Sequence, residues 1–121
     1  MSDSKRERKN PMVIVDPENG REYTLEFSRK TVKRTESAGL DIQSVSSKSM
    51  TMIPLLFWGA FLMHHPYMMQ EQSDKILFDG LNGLNEKELA YLSELYAEPF
   101  NTLIFGEDEV GENPRKMTVK F

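Results

Sequence analysis

The chain has 121 residues, 39% of them hydrophobic and 28% charged, with a formal net charge of -4. That length suits one domain, and the composition excludes a membrane-embedded protein and one disordered throughout. The lack of cysteine excludes a disulfide framework, a thiolate zinc site and a cysteine nucleophile; the acidic balance argues against a general nucleic-acid binder.

Residues 1–10 carry four basic and two acidic side chains with no apolar stretch behind them. They read as a flexible, solvated tail and not as a secretory signal. Residues 11–105 read as one domain with eight basic and thirteen acidic residues. Met12-Val-Ile-Val15 is a β-branched run, and Tyr23-Thr-Leu-Glu-Phe27 alternates apolar and polar. Between them, Asp16 to Arg21 is dense in turn formers, with Asn19-Gly20 able to take positive φ. The pattern predicts a β-hairpin whose inward side chains are Tyr23, Leu25 and Phe27. Because an isolated hairpin is marginal in water, a helix must cover one face.

Ser28 is placed to cap a first helix running to about Ala38, with Gly39 just past its end. Leu40 and Ile42 are expected to cover the core, and residues 43–49, which hold four serines, to form a loop. From Met50 to Met63 the chain is almost wholly apolar. Proline is tolerated in a first helical turn, so Pro54 puts the helix start near Ile53. A helix apolar all round is normally buried on every side, and this one is too short to span a bilayer. A small domain has few elements with which to surround it. Part of it, Leu56, Phe57, Trp58, Phe61 and Leu62, is therefore expected to form either the core or an oligomer or partner interface.

His64-His65-Pro66 ends that helix. Adjacent histidines point about 100° apart, so they make no chelating pair, and the expected role is contact with the helix C-terminal dipole. No metal or cofactor is expected. A third helix is predicted from about Met69 to Phe78 or Leu81, with Ile76, Leu77 and Leu81 inward and Gly80 and Gly83 weakening its end. Asn85-Glu-Lys-Glu88 resembles a capping box opening a fourth helix, on which Leu89, Leu92, Leu95 and Tyr96 recur at helical spacing. Pro99 breaks it, and Phe100, Leu103, Ile104 and Phe105 extend the apolar surface. Residues 106–121 form an acidic stretch read as a flexible tail, although Met117-Thr-Val-Lys-Phe121 alternates like a strand. The predicted fold is α+β: a short N-terminal hairpin and about four helices packed around an apolar central one.

No phosphate-binding glycine loop, nucleophile elbow or triad spacing occurs, so the chain does not read as an enzyme. Arg29, Lys30, Lys33 and Arg34 crowd the start of the first helix, where cations oppose the helix dipole by ~0.3–1 kcal/mol each. An acidic coiled coil or a nucleic-acid phosphate would relieve that penalty; a solvated basic face is the plain alternative.

The order of features carries a resemblance. Tyr23-Thr-Leu-Glu-Phe27 leads to a helix ending Ser37-Ala-Gly-Leu-Asp-Ile42. A serine-rich loop, Leu55-Leu-Phe-Trp-Gly-Ala-Phe-Leu-Met-His-His-Pro66, and a Met-Met-Gln-Glu-Gln helix with Asp74 and Ile76-Leu77 follow. Over about residues 20–105 this resembles the tail assembly chaperones of long-tailed bacteriophages and prophages. The resemblance implies a non-catalytic homo-oligomer in the cytoplasm of a bacterial host. It would hold the long helical tape measure protein, help recruit the tail tube protein, and be missing from the mature virion. The apolar helix and the basic cluster supply the expected site residues: Leu56, Phe57, Trp58, Phe61 and Leu62 for the oligomer or core, and Arg29, Lys30, Lys33 and Arg34 for an acidic partner. The competing expectations are a small nucleic-acid-binding regulator using the basic helix and a structural tail-completion protein.

Overall fold

A computed structural model describes residues 9–102 together with Met117, Lys120 and Phe121. The expected apolar patch at Leu103, Ile104 and Phe105 lies outside the described residues, as do most of both expected tails. The two tail residues that are described next to the domain are engaged on it. Lys9 Nζ pairs with Glu94 at 2.6 Å, and the Tyr91 hydroxyl donates to the Asn10 carbonyl at 2.7 Å.

The fold is α+β, an antiparallel hairpin followed by four helices. Strand β1 (Met12–Asp16) pairs with β2 (Arg21–Leu25) in the register Met12 to Leu25 and Ile14 to Tyr23. The turn between them closes with the Gly20 N–H on the Asp16 carbonyl, Gly20 lying at φ +71° where side chains are strained. Leu25 and Phe27 are fully buried and Tyr23 half-buried. Phe27 lies beyond the strand on the lead into the first helix, a position that the period-two reading extended by two residues.

Helix α1 (Arg29–Ser37) starts where the sequence puts it. Ser28 and Thr31 cap each other reciprocally, with the Ser28 N–H donating to Thr31 Oγ1 at 2.9 Å. Residues 43–49 are not plain loop, because Ile42–Ser44 form a 3-10 turn capped by Asp41. Helix α2 (Ser49–Phe61) begins four residues before the predicted start, so Pro54 stands inside it. The N–H that proline lacks would have bonded the carbonyl of Met50, on the exposed first turn, where water can take its place. Packing sets this start: Met52, in the added turn, is buried in the core.

Every residue of α2 from Leu55 onward is buried, as is Leu62 after it. The hairpin covers one side, through the Glu26 N–H on the Ala60 carbonyl at 2.9 Å and an edge-to-face contact of Tyr23 with Phe61. Helix α3 (Gln70–Lys75) runs directly into a π-helical turn, Ile76–Gly80, that buries Leu77. Helix α4 (Glu86–Ala97) opens with the predicted box, Asn85 and Glu88 capping each other, and buries Leu92, Leu95 and Tyr96. A 3-10 turn, Glu98–Thr102, follows it. The Trp58 indole donates to the Met68 carbonyl at 2.9 Å, so the one polar atom of the α2 core face is satisfied.

The tightest crossing joins α1 to α2 at Gly59. A Cβ there would collide with Thr35 Oγ1 and would stand 2.6 Å from Thr35 Cγ2. Thr35 is itself fully buried, its hydroxyl donating to the Thr31 carbonyl at 2.7 Å.

The two histidines fasten the hairpin to the end of α2 instead of serving the helix dipole. His64 Nε2 pairs with Glu26 Oε1 at 2.8 Å. The Thr24 N–H donates to His65 Nε2 at 3.1 Å, which requires an unprotonated nitrogen. Burial, His64 and Arg21 hold the His65 pKa below its ordinary value of 6.5.

Two outcomes follow from these contacts. Alanine favours a helix interior over glycine by ~1 kcal/mol, yet Gly59→Ala is expected to destabilise the domain by ~1–3 kcal/mol through overpacking. Adding Thr35→Ala should recover part of that loss, as read by thermal melting. A His pKa depressed on folding makes stability complete above the unfolded value and reduces it as pH falls through that value. Acidification from pH 7.5 to 5 should therefore lower the melting temperature of the wild type more than that of His65→Gln. The glutamine oxygen can still accept from Thr24, and His64 keeps Glu26 in both proteins.

Candidate functional site

On α1 the residues Arg29, Val32, Lys33 and Glu36 follow the i, i+3, i+4, i+7 spacing of one helix face. The opposite side buries Thr31 and Thr35. The first face meets the 3-10 turn after α4, and together they enclose a groove of about 210 Å³ lined by Arg29, Val32, Lys33, Glu36, Pro99 and Phe100. Its floor is apolar. Val32 and Pro99 are buried, and the Phe100 ring, 40% exposed, leans on Tyr96 with centroids 5.4 Å apart. Its rim is cationic at Arg29 and Lys33.

Glu36 marks the far end of the groove and is held by the Tyr96 hydroxyl, which donates to Glu36 Oε2 at 2.8 Å. Burial, that hydrogen bond and the Glu36 charge push the Tyr96 phenol well above its ordinary pKa of 10. It stays a neutral donor at any ordinary pH.

The basic cluster read from the sequence divides in two. Arg34 is part of the fold, donating from Nη1 to the Pro66 carbonyl at 3.2 Å with its guanidinium 5.8 Å from the Trp58 ring centre. Arg29, Lys30 and Lys33 are exposed, and among the described residues no carboxylate forms an ion pair with them. The first turn of α1 also contains no acidic residue. Arg29 and Lys30 therefore stand in the first turn, at the unfavourable end of the helix dipole, and among the described residues the Ser28 cap is what offsets them.

The aromatic set lies elsewhere. Leu56, Phe57 and Phe61 are fully buried within one chain, and Trp58 and Leu62 nearly so. These five are core in the single chain and offer no free surface. Pro99, Phe100 and Glu36 complete the groove instead. The repeat along α1 pointed to its half of the groove, whereas the half after α4 is joined to it only by tertiary contact.

A second, wider concavity of about 440 Å³ lies between the hairpin and the α2–α3 loop, lined by Arg21, Tyr23, His64, His65 and Tyr67 among others. Among the described residues no group of three His, Asp or Glu side chains is placed to hold a metal ion. No helix among them is long and apolar enough to cross a membrane. Chemically the first groove can do one thing well: seat an apolar side chain while two cations meet negative charge beside it.

No curated protein and no solved structure matches this chain. Its whole length, residues 1–121, matches the model of a family described as a domain of unknown function, DUF5055, and the chain belongs to that family.

Proposed function

We propose that this protein is a non-catalytic tail assembly chaperone of the long-tailed phage kind. It holds the tape measure protein, a long and largely helical chain, while the tail tube protein assembles around it. In this reading it works as a homo-oligomer in the cytoplasm of a bacterial host and is left out of the mature virion. The observation that carries the reading is the α1 groove, with an apolar floor at Val32, Pro99 and Phe100 between the exposed cations Arg29 and Lys33. An amphipathic helix that presents one apolar side chain and adjacent carboxylates fits that chemistry. The order of residues over about 20–105 supports the same class of partner.

The exposed cations also supply the second reading, a regulator that binds nucleic-acid phosphate through Arg29, Lys30 and Lys33. The acidic net charge of -4 weighs against it. A third class, a tail-completion protein, differs from the first by remaining in purified particles.

Co-expression with the tape measure protein of the same genome separates these readings. The partner is expected to become soluble and to co-purify with several copies of this chain. Reversing the rim with Arg29→Glu and Lys33→Glu should cut the recovered complex about tenfold, the equivalent of ~1.4 kcal/mol. An insoluble partner beside a free chain overturns the chaperone reading, and binding to duplex DNA that weakens steeply with salt would favour the regulator.

A further inference from the structure

The hairpin has two outer edges, and they are treated differently. On β2 the outward N–H of Thr24 is taken by His65 Nε2, and the outward N–H of Glu26 just past the strand is taken by the Ala60 carbonyl. The end of α2 takes that edge at Thr24 and Glu26, and leaves Glu22, beside the turn, as its one outward position without a bonded N–H among the described residues. Because Thr24 turns its N–H away from β1, its cross-strand partner Val13 also turns its backbone groups away from β2. Val15, two residues on, does the same. Among the described residues no group bonds to the outward N–H of Val13 or Val15. The side chains of both are half exposed, at 51% and 55%.

The next outward positions on either side are Pro11 and Pro17, which have no N–H to give. The open edge of β1 is therefore a window of two donors and two acceptors with a proline at each end. A long open edge invites unlimited pairing; this one permits pairing of one short, fixed length.

We propose that β1 pairs with β1 of a second copy of this chain, antiparallel about a two-fold axis at Ile14, to make a four-stranded sheet. In that register Val13 of each copy lies opposite Val15 of the other. All four outward valine N–H groups then meet valine carbonyls, and all five residues from Met12 to Asp16 have a partner. The exposed valines form two cross-strand β-branched pairs on one face. On the other face Ile14 meets Ile14, so the half-buried surfaces of the two hairpins become continuous. Pro11 falls opposite Pro17, and the ladder ends there without stranding a donor.

The same geometry limits the assembly to two. Pairing consumes the open edge of each copy, and on the remaining edges His65 and Ala60 occupy Thr24 and Glu26, leaving a single outward residue, Glu22, too short to propagate a ladder. The contact is isologous and closed, so it does not propagate into a fibre. This inference stands on strand geometry and does not depend on the chaperone reading. A chaperone without this dimer, or this dimer in a protein of another function, are both coherent outcomes.

The interface is small, so a weak and concentration-dependent dimer is expected. Sedimentation of the full chain from micromolar to millimolar concentration should show the mass rising from 14.0 kDa toward twice that value. Amide exchange should show Val13 and Val15 slowing at least tenfold over the same range, with the amides of Ile14 and Tyr23 little changed. Val13→Lys with Val15→Lys places like charges across the joint. That variant should remain a monomer at the highest concentration, with its helical circular dichroism and melting temperature retained to show that it folds.

A mass that stays at one chain throughout overturns the proposal. So does a dimer in which the Val13 and Val15 amides exchange freely, or one that survives both lysines. Protection of the two valine amides that is independent of concentration also overturns it, since the edge would then be covered from within the chain, as by the strand-like run Met117–Phe121.

Discussion

The helix that has no polar face determines the arrangement of everything around it. From Leu55 to Leu62 each residue of α2 and its cap is buried, so the chain must supply a cover in every direction. Burying one such aliphatic or aromatic side chain is worth ~1.5–3 kcal/mol, and the whole helix outweighs any other element as a source of stability. The hairpin covers Phe61, α1 lies against Gly59, α3 and its π turn bring Leu77, and α4 brings Leu92 and Leu95. Glycine at 59 is the condition for this closure. It lets α1 approach until Thr35 occupies the place of a side chain, and Thr35 can be there because its hydroxyl is satisfied within its own helix.

What was legible in the sequence follows from how local each signal is. Ser28 standing just before its helix, and Asn85 with Glu88 three residues apart, are local signals, and both helix starts were readable from them. The hairpin was readable from its alternation and its Asn19-Gly20 turn. The start of α2 was not, because Pro54 is a local marker while the burial of Met52 that extends the helix is a tertiary effect. The histidines were misassigned for the same reason. Their partners, Thr24 and Glu26, lie about forty residues upstream, and nothing near His64 and His65 announces them. The basic cluster was visible as a group, but its division was not. That depends on Arg34 reaching the Pro66 carbonyl across the α2–α3 loop.

A core helix used on every side has a consequence for function. The most aromatic segment of the chain cannot also be its contact surface, so recognition moves to the periphery. Among the described residues two peripheral features are left with unmet bonding capacity: the cations on α1 above the groove, and the valine backbone on the edge of β1. They are of different kinds. The first offers charge beside an apolar floor and suits a partner of opposite sign. The second offers hydrogen bonds in a fixed register and suits a strand with the same spacing. Each lies on an element whose other face is fastened to the core, α1 through Thr35 and the hairpin through Leu25.

These fastenings respond differently to acid. The groove is held in shape by Tyr96, which packs edge-to-face on Phe27, supports Phe100 and fixes Glu36 with its hydroxyl. With its phenol raised far above the ordinary range, that donor does not change charge between mildly acidic and mildly basic conditions. The hairpin depends on a neutral His65, whose pKa burial holds below the ordinary 6.5. Acid that protonates His65 therefore loosens the hairpin through β2 and leaves the walls of the groove in place. Any partner held in the groove should be retained under conditions that weaken contacts made through β1, since the two surfaces share the core but not the residue that titrates.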